Sequence, residues 1–216
     1  MQADPERRAD LERLGIPRVP ALVVGDRFTH GWNPGAYAAL LGVPWTPAAA
    51  LAPLELAARL DTILESAQGL LARLDARHLD WVPPERKRTV RDLGYHVFRL
   101  SLACIDGIDR GAFPEGWLDE PAPADFADGR DVARWGGLVR GRLAGWFEGA
   151  GEDDYTRVVR VYYGPQSGRD LLERTTWHAA QHLRQLYDVA ARLGVTPPAP
   201  LPVGAFAGLP LPEALW

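Results

Sequence analysis

Two histidines four residues apart on the inward stripe of a long helix restrict what this chain can become. The stretch Ser167 to Gly194 reads as one amphipathic helix. Ser167, with Asp170 three residues on, resembles a capping box, and Gly194 supplies the stop. The inward stripe is Leu171, Thr175, His178, His182, Leu186, Val189 and Leu193, spaced by threes and fours. An unpaired polar group on such a stripe costs roughly 1–3 kcal/mol, so both imidazoles require partners. Residues four apart on a helix stand about 5–6 Å apart at Cβ, close enough for two imidazoles to hold one metal ion. Hydrogen bonding within the core satisfies the same requirement. The spacing alone admits either reading.

Composition removes several function classes. Of 216 residues, 47% are hydrophobic and 24% charged, enough for a proper core. The formal charge of −4 lacks the basic excess of a nucleic-acid surface, and Arg86-Lys87-Arg88 is too short to change that. Cys104 is the only cysteine, so no internal disulfide or dithiol pair can form, which fits a reducing cytoplasm. As the only thiol, Cys104 reads as a small buried hydrophobe on an inward stripe, with a ligand or nucleophile as the alternative. No apolar run approaches 18 residues, and the start shows no signal-peptide pattern. The expectation is a cytoplasmic protein acting on a small molecule, with neither nucleic acid nor membrane as partner.

The first 47 residues form a separate segment. Residues 5–14 make a short polar helix that stops at Gly15. Ala21–Val24 and Arg27–His30 make a hairpin about Gly25-Asp26, and Pro34 opens a helix that closes at Gly42. Val19-Pro20 before the hairpin, with Gly31-Trp32-Asn33-Pro34 after it, resembles the C-terminal half of a glutaredoxin. That resemblance implies Val19, Pro20, Trp32 and Asn33 as contacts for a thiol ligand such as glutathione. A helix N-terminus suits the ligand's carboxylate. The first half of that fold and its CxxC are absent, so the segment carries no redox thiol. One hairpin with open edges and two short helices cannot hold a core alone. We expect it to pack on the remaining chain or on a second copy, and to contribute through residues 16–42 to a homodimer.

A proline-rich boundary, residues 44–53, precedes four helical patterns. The first carries Leu56, Leu60, Ile63, Ala67, Leu70 and Leu74 and is expected to end near His78. The second begins at Thr89, with Asp92 three residues on, and carries Val90, Leu93, Val97, Leu100, Cys104 and Ile108. The third carries Val132, Trp135, Val139, Leu143 and Trp146, and the fourth is the histidine helix. Residues 157–163 read as a short extended piece. This pattern specifies a mainly α protein, a four-helix bundle over residues 48–195, with a small N-terminal α/β appendage. Residues 196–216, with six prolines, read as a strap along the bundle.

A third ligand is needed before a metal is credible. His30 sits in the hairpin and His78 at a helix end, whereas His96 lies at the edge of the second helix's seam. Three histidines from two helices leave a coordination position open. LGYHVFRL on the second helix, with TWHAAQHLRQL on the fourth, resembles the DinB family of metal-binding four-helix bundles over about residues 54–195. The resemblance implies His96, His178 and His182 as ligands of a divalent ion (zinc, nickel or iron-like). Gln181 and Gln185 read either as hydrogen-bonding supports behind them or as surface residues. It also implies either a metal-dependent S-transferase of a low-molecular-weight thiol or a metal- or ligand-binding stress protein without turnover.

Overall fold

The computed structural model describes residues 5–16, 20–31, 33–46 and 50–216. The chain forms two compact units, residues 1–50 and 51–216. In the first, α1 (Pro5–Arg13) precedes the hairpin of β1 (Ala21–Val24) and β2 (Arg27–His30), and α2 (Pro34–Leu41) follows. The register pairs Ala21 with His30 and Val24 with Arg27 across a turn in which Gly25 has φ 60°. Asn33 starts α2 by accepting a hydrogen bond from the Ala36 N–H at 3.1 Å, and Gly42 ends it at φ 68°. Asn33 is thus engaged as a helix cap. Val19, Trp32 and the expected boundary between residues 47 and 48 lie outside the described residues.

The second unit contains α3 (Pro53–Leu71), α4 (Ala76–Asp80), α5 (Val90–Arg110), α6 (Gly129–Gly149), α7 (Glu152–Thr156), β3 (Val158–Val161), β4 (Gly164–Ser167) and α8 (Gly168–Arg192). Four long helices make the bundle, with α3 and α5 each packed against both α6 and α8. Their inward faces supply Leu56, Leu60, Ile63, Phe98, Ile105, Leu172 and Leu183, all fully buried. The arrangement matters because it makes α5 and α8 neighbours. The C-terminal residues lie on this core through Leu201, Phe206, Leu209, Leu211 and Trp216. Among the described residues, no helix is long and apolar enough to cross a membrane.

Local chemistry accounts for both matches and departures. Thr89 caps α5 by accepting from the Asp92 N–H (3.1 Å) and donating to its carboxylate (2.7 Å). The other carboxylate oxygen of Asp92 accepts from the Ala122 N–H, pinning the connection between α5 and α6 to the helix start. The first bundle helix does not reach His78 as its apolar spacing suggests. It ends at Leu71 in tight bonds from Arg73 to Leu70 and from Leu74 to Leu71, and Asp75 then caps the separate α4. The reason is competition, since the Asp75 side chain accepts from the His78 N–H while the Leu74 carbonyl accepts from Gly129. The extended piece at 157–163 is β3, paired with β4, which runs straight into the Ser167 cap of α8.

Gly129 marks the closest approach of α6 to the end of α3. A Cβ there would lie 1.9 Å from the Leu71 carbonyl oxygen and 2.7 Å from that of Leu74, both main chain. Gly129→Ala therefore cannot be absorbed by a rotamer change. The expected cost is about 1–3 kcal/mol, a fall of several degrees in Tm by calorimetry. An unchanged Tm would show that the two helices can separate without loss.

Candidate metal centre

Because α5 and α8 are neighbours, His96 faces His178 and His182. The ring centroids of His96 lie 5.2 Å and 5.1 Å from those of His178 and His182, which are 4.3 Å from each other. One ligand nitrogen from each ring lies within 4.8 Å of the others. His96 is buried, and the other two keep part of their surface. No cysteine or carboxylate among the described residues joins this group. His78 is engaged with Asp75 in α4, and His30 belongs to β2 of the other unit.

The hydrogen bonds around His182 fix its protonation pattern. Gln185, only 2% exposed, donates through its amide nitrogen to the Leu215 carbonyl at 2.7 Å. That contact orients the amide oxygen toward His182 Nδ1, also at 2.7 Å. The oxygen can only accept, so His182 carries its proton on Nδ1 and presents a bare lone pair on Nε2. His178 Nε2 lies 3.0 Å from that lone pair and donates to it. Chelation requires His178 in its other tautomer, a change its neutral ring can make. The residues thus fit a divalent ion: neutral imidazoles, converging nitrogens and a support behind one of them.

Electrostatics favours the neutral state. Burial first, then the neighbouring rings and Arg88, holds His96 well below the usual value of 6.5. His178 is likewise held well below, by burial, His182, Arg174 and Arg88. His182 falls to about 4, mainly through burial, with Gln185 pulling the other way.

Gln181 is turned elsewhere. It donates to the Ala214 and Leu215 carbonyls (3.1 and 2.7 Å) and accepts from Arg184. Arg184 in turn donates to the Pro212 and Glu213 carbonyls, and the Trp216 indole donates to Asp188. Residues 181, 184, 185 and 188 therefore clasp the C-terminal segment along one helix face, and only Gln185 passes that contact on to a histidine. The polar stripe Gln181, Arg184, Gln185, Asp188 was the available sequence signal. Cys104 is 1% exposed with its thiol pushed up to about 12 by burial, so it offers no thiolate.

A narrow cavity of about 40 Å³ opens onto His178, lined also by Leu100, Phe113, Tyr162, Tyr163 and Arg174. A larger groove of about 460 Å³ between α3 and α6 lies away from the histidines. It is open to solvent, and its Arg134 and Arg140 are paired with Asp131, Asp61 and Glu65.

The sequence model of the DinB superfamily matches residues 29–186. The chain belongs to the DinB superfamily. Two solved structures share its fold. The DinB-like protein YjoA of Bacillus subtilis has a TM-score of 0.54 at 16% identity, over 65% of this chain and 93% of that one. YfiT of Bacillus subtilis, described as a probable metal-dependent hydrolase with an unusual four-helix bundle topology, has a TM-score of 0.54 at 14% identity, over 71% of this chain and 96% of that one. No curated protein matches the chain. This DinB-superfamily chain thus carries its three converging histidines on the second and fourth long helices of the bundle.

The shifts of the three rings have a definite pH signature in metal-free protein. Unfolded histidines gain protons near 6.5, whereas folded His182 stays neutral to about 4 and folded His96 and His178 are held well below 6.5. Between those values the unfolded state binds more protons, so stability is full above pH 6.5 and is lost as pH falls. Depressed carboxylates such as Asp75 and Asp131 add losses only at lower pH. Urea midpoints should fall steadily from pH 6.5 to 5, and flat midpoints over that range would contradict neutral histidines.

Proposed function

We propose that this chain holds a divalent ion through His96, His178 and His182 and transfers a low-molecular-weight thiol onto an electrophile. The observation carrying this reading is the ligand group itself: three neutral imidazoles with no acidic residue among them. Such a set leaves the ion's charge uncompensated, and Arg86, Arg88 and Arg174 add positive potential at the rings. The surroundings therefore favour an anion from outside the protein. A bound divalent ion would stabilise the thiolate form of a coordinated thiol, the nucleophilic form.

The chain's own residues supply position and exclusion. Gln185, held by Leu215, aims His182, and Tyr162, Tyr163 and Phe113 narrow the approach to His178. The choice of glutathione rests on the likeness of residues 19–34 to the ligand-binding part of a glutaredoxin, most of which precedes the family match at residue 29. The second reading, a metal- or ligand-binding protein without turnover, is favoured because no carboxylate among the described residues joins the ring group to act as a base. The description of YfiT raises hydrolysis as a further reading.

Cobalt-substituted protein separates these. Glutathione should shift the visible spectrum through sulfur coordination and be consumed when an electrophile such as an epoxide is added. A thiol-induced shift without consumption supports the binding-only reading. No shift, with hydrolysis of a test ester, would reject thiol transfer.

A further inference from the structure

Arg174 stands one helical turn before His178 on α8 and forms no ion pair with a carboxylate among the described residues. Three other bundle arginines with little exposed surface pair with carboxylates, although Nη1 of Arg99 is also buried without a hydrogen-bond partner among the described residues. Arg99 pairs with Glu120, Arg140 with Asp61, and Arg169 with Glu173. The Arg174 guanidinium is nevertheless fixed in place. Its Cζ lies 4.0 Å from the Tyr163 ring centroid, and Nη2 donates to the Tyr162 hydroxyl at 3.0 Å. Its remaining terminal nitrogen, Nη1, is buried without a hydrogen-bond partner among the described residues. The Tyr163 hydroxyl likewise makes no hydrogen bond of ordinary geometry with the described residues, and its neighbour there is Arg174 itself, so the two groups face one another across the same cleft.

Both residues line the cavity that opens onto His178. Buried donors left unpaired by the fold mark a site where something else completes them. Burial pushes the Tyr163 hydroxyl up to about 12, so it remains an O–H donor at neutral pH. One guanidinium N–H and one phenol O–H match the two oxygens of a carboxylate, and the charged partner makes that match a strong one. A phosphate would ask for more donors than these two groups provide. Apart from Tyr162, Thr175 and His178 the remaining lining is apolar (Leu100, Phe113, Leu118, Val161, Leu171), and the cavity of about 40 Å³ has room for a head group and not for a whole ligand. The ligand's remainder must therefore extend out through the mouth.

We propose that the cleft beside His178 is a carboxylate subsite, in which Arg174 Nη1 and the Tyr163 hydroxyl hold a carboxylate carried by a small organic ligand. The proposal deepens the thiol-transfer reading and rests on it for the ligand's role, since the carboxylate belongs either to the thiol or to the electrophile. Its chemistry is the same in both cases.

Calorimetric titration of metal-loaded, full-length protein with benzoate, benzamide and inorganic phosphate tests it. Benzoate should bind at least tenfold more tightly than benzamide or phosphate, and Arg174→Gln should weaken benzoate at least tenfold while metal content stays unchanged. Metal-stripped protein should still discriminate benzoate from benzamide, which separates this subsite from direct coordination to the ion and keeps it testable if thiol transfer fails. Should Arg174→Gln unfold, Tyr163→Phe removes one hydroxyl and should weaken benzoate severalfold. Displacement of benzoate by S-methylglutathione assigns the carboxylate to the thiol, and its failure to displace assigns it to the electrophile. Equal binding of benzoate and benzamide, full dependence on the metal, or unchanged binding in Arg174→Gln would overturn the proposal.

Discussion

Three imidazoles enclosed between α5 and α8 are the constraint on which the rest of the site depends. Enclosure disfavours their charged forms, and among the described residues no carboxylate joins them to restore charge. Each ring is therefore a neutral nitrogen donor at physiological pH, the state a divalent ion requires. His182 is further tied to one tautomer by Gln185 and, through it, by the Leu215 carbonyl. The C-terminal segment is thus part of the site's support.

The surrounding charge has a consistent sense. Arg86, Arg88 and Arg174 all oppose protonation of the rings, and among the described residues no acid joins the three imidazoles. An ion held there faces the cleft with its charge uncompensated. The same cleft holds the unpaired donors of Arg174 and Tyr163. Ligand group and cleft therefore point toward anionic ligands by independent routes, one through the metal's charge and one through hydrogen-bond donors.

Helix periodicity made much of this legible in the sequence. The stripe of α8, its Ser167 cap and the Thr89 cap of α5 follow from spacing alone, as do the hairpin of β1 and β2 and the close of α2 at Gly42. His96 was harder, because its role depends on which helices are neighbours, and the family resemblance supplied that. The break after Leu71 was hidden because Leu74 continues the apolar spacing, while the deciding contacts come from Asp75 and from Gly129 far along the chain. Leu215 gave no signal, since a main-chain carbonyl meeting a helix face leaves no pattern in side chains. Arg174 was equally silent. On a helix wheel an arginine beside the stripe reads as solvated, and only the packing of Tyr162 and Tyr163 over it reveals the enclosed guanidinium.

The proposed metal centre requires that His96, His178 and His182 together hold one ion. Metal analysis joined to X-ray absorption spectroscopy on the purified full-length protein tests it most directly. The expected result is about one divalent ion per chain with three imidazole nitrogens in its coordination shell, and loss of that ion in His178→Ala. Substoichiometric metal, a shell without imidazole, or full retention of the ion in the His178 variant would contradict it.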